Sequence, residues 1–370
     1  MQVLVMLSVL IGCATATAAV TEPGAHTSPN CTYCADLNTS TQCADGLAER
    51  HGDLPMKASR YGDFLVTPLS SALGAKVAGA DGSPLNLTAQ WDADSELREQ
   101  ISTLLLRHQV LVFHGQDLHS MTQLNMAKHW GPVPQHPLGS RAKDAADDGM
   151  PEGVVVLKNT KGREVEARND MWHSDVSCVD HPAAVNLLYA ADYEPLPGFG
   201  DTLFANMERA YEQLSSERQE ALKGMDCYFS THLFENDKPR EKLKVSTGTY
   251  HPTVRSHPET CHDSLYISPV FFEHFLGMTV SESESLHAEL TAVSTSPENT
   301  YRHRWVTGDL VIFDNRNTMH YAAFDYDEGQ VRTMHSARSQ MAARPFSKHR
   351  QAEGDAAAQW CQPPPHSQCA

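Results

Sequence analysis

The sequence is poor in basic residues for its length. Its 370 residues include 29 Lys and Arg against 46 Asp and Glu, which gives a formal net charge of −17. A surface of this charge repels nucleic acid and anionic membranes, so neither is predicted as a partner. A small-molecule substrate is the expected partner, and homo-oligomerisation stays open.

Long apolar runs are also scarce. The first twenty residues, "MQVLVMLSVLIGCATATAAV", form the single such run in the sequence. The run is short for a membrane span and is followed by small residues, so residues 1–20 are predicted to be a signal peptide. The protein is then expected in the secretory pathway, outside the cell or in the endoplasmic reticulum lumen. A basic segment before the run is missing, which leaves an uncleaved anchor or a mispredicted start as alternatives.

Cysteine is concentrated at the two ends of the chain. Once Cys13 is removed with the predicted signal peptide, eight cysteines remain. The terminal ones, predicted to form disulfides in an exported protein, are Cys31, Cys34, Cys43, Cys361 and Cys369. The inner ones, predicted to be buried unless one pairs with a terminal cysteine, are Cys178, Cys227 and Cys261. Sequons at Asn30, Asn38 and Asn86 predict a glycoprotein.

Composition divides the chain into an irregular Cys-rich extension over residues 21–60, a folded domain over 61–345 and a Cys- and Pro-containing tail over 346–370. Apolar periodicity in the domain predicts helices at "SELREQISTLLLRHQ", "SMTQLNMAKHWG", "MERAYEQLSSERQEALKG" and "SESESLHAELTAVST". Short β-rich runs include "VLVFHG", "GVVVLKN", "AVNLLYAAD", "DTLFAN", "DSLYIS", "DLVIFDN" and "VRTMHSA". Many short strands with a few outer helices predict an α+β fold with a double-stranded β-helix, or jelly-roll, core.

A candidate metal site starts from the segment "NDMWHSDVSC". The spacing His173-x-Asp175 means little alone, because His51-Gly52-Asp53 has the same pattern. In a strand, however, residues i and i+2 project to one face, so an imidazole and a carboxylate can meet at one point. A second histidine, His320, ends the alternating strand in "GDLVIFDNRNTMHYA". Two histidines and one carboxylate are the facial ligand set of non-haem Fe(II), which leaves positions open for a co-substrate and dioxygen.

At these residues the chain resembles the taurine/2,4-dichlorophenoxyacetate dioxygenase family of Fe(II)- and 2-oxoglutarate-dependent oxygenases. The resemblance extends over about residues 60–345. Its motifs, in order, are "NDMWHSDVS", "GDTLFANMERAYEQLS", "HPTVRSHPET", "RWVTGDLVIFDNRNTMHYAAFDY" and "VRTMH". It implies Fe(II) held by His173, Asp175 and His320, with 2-oxoglutarate as co-substrate and dioxygen as oxidant.

The resemblance also implies roles for residues around the metal. Thr202 matches the threonine that bonds a 2-oxoglutarate carboxylate, and Arg332 matches the arginine that grips the distal carboxylate with two parallel donors. Strand propensity alone explains Thr202 almost equally well. His136 and Asn169 fall where relatives place substrate-contacting residues.

The chain departs from the family pattern in its substrate pocket. Ser336 stands where relatives that act on sulfonates or carboxylates have a second arginine, four residues after the one matching Arg332. Taurine is therefore a poor substrate prediction. Arg338, two residues further on the same strand face, is the candidate to replace that arginine. Gly139 replaces an aromatic residue of the family, so the pocket is expected to be remodelled.

The predicted activity is hydroxylation of a small organic molecule, with release of succinate and CO2. One alternative is a secreted, non-catalytic jelly-roll ligand-binding protein, since the fold alone does not define a function. Another is a zinc hydrolase with the same three ligands, although no HExxH helix accompanies them. The substrate, the bond oxidised, the oligomeric state and the disulfide connectivity stay open.

Overall fold

The computed structural model describes residues 50–134, 149–159, 171–230, 248–327 and 329–349. Several predictions concern residues outside these ranges: the signal peptide, the terminal cysteines, the sequons at Asn30 and Asn38, the substrate candidates His136 and Asn169, and Gly139. The described part is a mixed fold of helices and sheets, as the sequence predicts. None of its helices is both long enough and apolar enough to cross a bilayer.

The strands of the described residues are numbered along the chain. They are β1 Ser59–Tyr61, β2 Phe64–Pro68, β3 Ala75–Gly79, β4 Val110–Phe113, β5 Val154–Asn159, β6 Ala183–Tyr193, β7 Thr202–Asn206, β8 Asp226–Ser230, β9 Gly248–Pro252, β10 Val254–Ser256, β11 Asp263–Leu265, β12 Phe272–Phe275, β13 Thr300–His303, β14 Leu310–Asp314, β15 Thr318–Ala322 and β16 Arg332–Gln340. The α-helices are α1 Leu87–Gln90, α2 Ser95–His108, α3 Ser120–His129, α4 Met207–Glu212, α5 Ser216–Lys223 and α6 Val280–Ser294.

One large sheet has eight strands in the order β1-β2-β3-β4-β14-β6-β16-β5. Its central strand β14 is buried along its whole length because both faces of the sheet are covered. Leu310 and Ile312 pack in one apolar cluster with residues of α2 and α3, whereas Val311 and Phe313 pack in another cluster with Phe204 of β7. The alternation of side chains along a strand therefore places helices on one side and a second sheet on the other.

The second sheet has three strands in the order β13-β7-β15, and all its pairs are antiparallel. A further three-stranded sheet, β12-β8-β9, and the pair β10-β11 share a third apolar cluster with α4 and α6. The second sheet thus lies between two apolar layers, and its strand β15 pairs through His320 with the segment that contains His173 and Asp175.

Helix ends follow from local side-chain chemistry. Asp94 caps α2 by accepting a hydrogen bond from the Leu97 N–H, and α2 ends at Gln109 in the left-handed conformation. The single helix predicted over "MERAYEQLSSERQEALKG" is wrong. The structure has two helices there, α4 and α5. They are separate because Ser215 caps the start of α5 by accepting a hydrogen bond from the Arg218 N–H.

The other predicted helices match α2, α3 and α6, and the strand runs match β4, β5, β6, β7, β11, β14 and β16. The sequence missed the short outer strands such as β1 to β3, of which β1 begins at Ser59 inside the predicted irregular extension. Among the inner cysteines, Cys178 and Cys227 are buried as predicted. Cys178 is disulfide-bonded, and Cys227 is a free thiol.

Candidate active site

His173 and His320 lie directly opposite each other across a β-bridge. The His173 N–H donates to the His320 carbonyl at 2.9 Å, and the His320 N–H donates to the His173 carbonyl at 2.8 Å. Residues paired in this way project to the same face, so the imidazole centroids are only 4.1 Å apart. Two histidines that are 147 positions apart in the sequence therefore present their rings to one point.

Asp175 completes the group from the segment that contains His173. Its Oδ1 atom lies 3.4 Å from His173 Nε2 and 3.8 Å from His320 Nε2. Oδ1 is buried and has no hydrogen-bond partner. Among the residues that the structure describes, these three form the group of potential metal ligands whose ligand atoms all lie within 4.8 Å of one another.

The geometry fits a divalent metal. Two ligand atoms at right angles, each about 2.1 Å from a first-row metal, lie roughly 3 Å apart. The measured separations of 3.4 and 3.8 Å exceed this value by less than 1 Å. A cation between the three atoms would also give the orphaned Oδ1 of Asp175 a partner, which a buried carboxylate oxygen otherwise lacks at considerable cost.

The protonation states suit metal binding as well. Burial, together with the neighbouring His173 ring, lowers the pKa of His320 to about 3. Burial alone would raise the pKa of the Asp175 carboxyl, but the adjacent His173 and His320 rings and the Arg338 guanidinium hold this pKa well below its usual range. At neutral pH His320 is thus a neutral imidazole and Asp175 a carboxylate, which are the forms that bind metals.

Residues other than the three predicted metal ligands hold Asp175 in place. Asn186 Nδ2 donates to Asp175 Oδ2 at 2.7 Å, and Arg338 Nη1 donates to the same oxygen at 3.4 Å. Asn315 bonds to the Asp175 backbone, since its Oδ1 accepts from the N–H at 2.7 Å and its Nδ2 donates to the carbonyl at 3.2 Å. Asn186 and Asn315 were not singled out from the sequence. A buried asparagine within an apolar strand was the available signal for Asn186.

Arg332 starts β16 in an aromatic pocket. It is 9% exposed, and its Cζ lies 5.8 Å from the ring centroids of both Tyr193 and Tyr326. Its Nε is buried without a hydrogen-bond partner. Burial raises the pKa of Tyr193 to about 12 despite the nearby guanidinium, so the phenol stays neutral. A buried guanidinium with an unused donor and neutral neighbours is suited to an anionic ligand.

Gly200 permits this packing against Arg332. Its φ of +67° lies in the left-handed region, and a Cβ there would lie 2.5 Å from Tyr193 Oη and 3.0 Å from Tyr326 Cδ1. A side chain would push both rings out of place, so glycine is required for steric as well as conformational reasons.

Thr202 starts β7 and is buried. Its Oγ1 accepts a hydrogen bond from the Trp305 indole N–H at 2.9 Å. Because the indole uses an acceptor position of the hydroxyl, the hydroxyl proton stays available for donation to a further acceptor. Trp305, which is fully buried, is another residue that the sequence prediction missed.

The remaining sequence candidates are placed as follows. Ser336 and Arg338 are half-buried on β16, and Arg338 reaches the Asp175 carboxylate. His136 and Asn169 lie outside the described residues. His51 and Asp53, which have the same spacing as His173 and Asp175, lie in a short 3-10 helix. There His51 Nδ1 contacts His108 Nδ1 at 2.8 Å.

Two imidazoles and one carboxylate on one side of a point define the class of proteins that hold a divalent metal by a facial triad. Comparison with known proteins gives the family. The model of the family described as "Taurine catabolism dioxygenase TauD, TfdA family" matches residues 65–338. The chain belongs to this family, whose enzymes depend on Fe(II), 2-oxoglutarate and dioxygen.

Named relatives agree with this assignment. An alkylsulfatase of Acinetobacter baylyi is 35% identical over 273 residues, which cover 70% of this chain and 80% of the relative. An alpha-ketoglutarate-dependent sulfate ester dioxygenase of Pseudomonas putida is 31% identical over 70% of this chain and 84% of the relative. An alpha-ketoglutarate-dependent 2,4-dichlorophenoxyacetate dioxygenase of Cupriavidus pinatubonensis is 32% identical over 61% and 82%, respectively.

Solved structures are similar throughout the domain. A taurine dioxygenase from Burkholderia xenovorans has a TM-score of 0.63 and 29% identity, covering 80% of this chain and 97% of that one. The protein AAD-2 in complex with Mn(II) and N-oxalylglycine has a TM-score of 0.63 and 27% identity, covering 76% of this chain and 99% of that one. The relatives are alpha-ketoglutarate-dependent dioxygenases acting on small organic molecules, and they give no support to a non-catalytic binding protein.

The predictions of a signal peptide, of a secretory location and of glycosylation are wrong. The relatives named above are bacterial enzymes of a family whose members are typically cytosolic. The prediction relied on a local apolar run and on sequons, which are short patterns that arise without any targeting role. Asn86, the sequon within the described residues, caps α1 by accepting a hydrogen bond from the Ala89 N–H.

Proposed function

We propose that this protein hydroxylates a small organic molecule and couples this reaction to oxidative decarboxylation of 2-oxoglutarate. One oxygen atom of O2 enters the substrate C–H bond and the other enters succinate, while CO2 leaves. The facial arrangement of His173, Asp175 and His320 is the observation that supports this function. The catalytic domain is proposed to span residues 61–345, with its sheets forming a double-stranded β-helix core.

His173, Asp175 and His320 would hold Fe(II), which supplies the activation of dioxygen. Arg332 binds the distal carboxylate of 2-oxoglutarate through its guanidinium, and the Thr202 hydroxyl donates to a carboxylate oxygen. Trp305 keeps the Thr202 proton directed away from the indole. Tyr193 and Tyr326 exclude water around Arg332, which strengthens its interaction with the co-substrate.

The name of the structural relative bound to Mn(II) and N-oxalylglycine supports this role for Arg332. N-oxalylglycine has the two carboxylates of 2-oxoglutarate at the same spacing, with an N–H in place of a methylene group. A site that binds it must offer a divalent metal at one end and a cation for the distal carboxylate at the other. In this chain the triad would hold the metal, and the Arg332 guanidinium would be the cation for the distal carboxylate.

The proposed substrate is a small organic anion. Relatives are named for sulfate esters, 2,4-dichlorophenoxyacetate and (S)-phenoxypropionate, all of which bear a negative charge. This chain has Ser336 at the position of the family's second arginine. Arg338 lies on the same strand, and its Nη1 is 3.4 Å from Asp175 Oδ2. Arg338 would bind the substrate anion beside the metal, and His136 and Asn169 remain proposed substrate contacts.

Anaerobic addition of Fe(II) and 2-oxoglutarate tests the function without knowledge of the substrate. The complex should give a weak visible charge-transfer band, and aerobic incubation should release succinate slowly. His173→Ala should abolish both the band and succinate release, because it removes a metal ligand. Circular dichroism should show that this variant is folded. Zn(II) should not restore succinate release. A folded wild-type protein that gives neither signal would refute the proposed function.

A succinate-release screen tests the substrate class. Alkyl sulfates, aryloxy acids and sulfonates should stimulate succinate formation, whereas neutral analogues of the same carbon skeletons should not. Arg338→Met should reduce the stimulation by the anions and narrow the difference between anionic and neutral compounds. Equal stimulation by neutral analogues of the best anion would contradict an anionic substrate.

A further inference from the structure

The two oxygens of the Asp175 carboxylate lie in different surroundings. Oδ2 accepts hydrogen bonds from Asn186 at 2.7 Å and from Arg338 at 3.4 Å. Oδ1 has no hydrogen-bond partner and lies 3.4 Å from the nearer of the two imidazole Nε2 atoms. The carboxylate therefore presents one oxygen to the centre of the triad, and the other is engaged by donors outside it.

We propose that Asn186 is a positioning residue that makes Asp175 a one-oxygen metal ligand. This inference rests on the proposed function, because it needs a metal at the triad. A carboxylate can bind a metal through one oxygen or through both. If Oδ2 also bound, it would occupy a coordination position that the co-substrate and dioxygen require. The hydrogen bond from Asn186 opposes that rotation of the carboxylate.

Asn186 is itself held firmly. It lies on β6, where its backbone pairs with Phe313 of β14 on one side and with Arg338 of β16 on the other. It is 2% exposed, so water does not compete for its amide. A donor on a central strand with ladders on both sides has little freedom to follow a moving carboxylate, and its short bond therefore determines the carboxylate orientation.

Asn315 restrains the other end of the same residue. Its side chain bonds to both the N–H and the carbonyl of Asp175 and also donates to the Ala183 carbonyl at 2.9 Å. The amide thus replaces the backbone partner that a neighbouring strand would provide. With the backbone fixed by Asn315, the orientation of the carboxylate depends on the side-chain torsions, which is where Asn186 acts.

The test uses Mn(II) added to the metal-free full-length protein. Asn186→Leu keeps the number and branching of the side-chain heavy atoms and removes the donor. We expect Mn(II) affinity to fall about 10- to 100-fold, as is usual when a residue behind a metal ligand is changed. The water-proton relaxation enhancement per bound Mn(II) should also fall by about a third, because a two-oxygen Asp175 would displace one of about three bound waters.

Gln123→Met is the matched control. Gln123 is fully buried and its amide donates to the carbonyls of Leu187 and His335, so it contacts β6 and β16, the strands of Asn186 and Arg338. This variant should lose stability without changing Mn(II) affinity or relaxation. Should Asn186→Leu fail to fold, Asn186→Ala, which also lacks the donor, takes its place.

The outcomes separate the two hypotheses. A folded wild-type protein that binds no Mn(II) would contradict the metal site and therefore the proposed function. Wild-type binding combined with an unchanged relaxation per bound Mn(II) in the Asn186 variant would overturn the positioning role alone, even if its affinity were lower. A reduced relaxation in both the Asn186 variant and Gln123→Met would likewise overturn it.

Discussion

Replacing Arg332 by lysine should weaken 2-oxoglutarate binding about 10- to 100-fold. Arg332 is 9% exposed between two aromatic rings, so hydrogen bonds made by its guanidinium are little weakened by water. Lysine keeps the charge but loses the planar pair of parallel donors. The loss of one charge-assisted hydrogen bond costs about 1.5–3 kcal/mol. At about 1.4 kcal/mol for each tenfold change, this corresponds to the stated range.

The assay is an anaerobic titration of the Fe(II)-loaded protein with 2-oxoglutarate, followed by the charge-transfer band. The amplitude at saturation should stay the same, because the metal ligands are unchanged, and the midpoint should move to higher concentration. Arg344→Lys is the control, since Arg344 is an exposed arginine paired with Asp180 at 3.1 Å. An unchanged midpoint in Arg332→Lys, or an equal shift in both variants, would refute the assignment of Arg332 to the co-substrate.

Two further predictions concern packing and pH. Gly200→Ala should destabilise the fold by about 1–3 kcal/mol and weaken 2-oxoglutarate binding, because its Cβ would meet Tyr193. The control is Gly198→Ala, where φ is +105° and the space around a Cβ is open, so this variant should change thermal stability alone. Equal 2-oxoglutarate affinity in the two variants would contradict the steric explanation. Burial lowers the pKa of His108 and of His251 to about 3. Both bind fewer protons when folded than when unfolded, so stability should be lost as the pH falls from about 6.5 towards 3, by up to about 1.4 kcal/mol per pH unit for each histidine. Chemical unfolding at about pH 7 and about pH 5.5 measures this loss, and equal unfolding free energies would contradict it.

The metal ligands show how far sequence patterns extend. His173 and Asp175 could be proposed as a pair because the alternation of side chains along an extended segment is a local property. His320 was proposed from its strand, but the family motif was needed to join it to the pair, since no local rule connects residues 147 positions apart. The structure supplies the physical link, which is the antiparallel bridge between His173 and His320.

The residues that contact the predicted site residues could not be predicted in the same way. The roles of Asn186 and Asn315 depend on which strand lies next to which, and that order, β14-β6-β16, is not sequential. Arg338 was proposed from its strand face, but its contact with Asp175 depends on the three-dimensional path of both segments. Trp305 and Thr202, 103 positions apart, meet because β13, which ends two residues before Trp305, pairs with β7 and sets His303 opposite Thr202.

The failures have physical causes too. The helix predicted across Ser215 satisfied the apolar periodicity, but the serine side chain accepts a hydrogen bond from the Arg218 N–H and so starts a new helix. The secretory prediction came from an apolar run whose composition carries no information about the fold or the chemistry of the domain that follows.

The sequence by itself determined the residue types of the ligands, the strand and helix periodicity of the domain, and the family to which the chain belongs. Only the tertiary structure decided that one carboxylate oxygen of Asp175 faces the imidazoles while the other faces Asn186 and Arg338. The reason is that periodicity sets the face on which a side chain lies, whereas the partner on that face is chosen by strand order and packing between segments far apart in the chain.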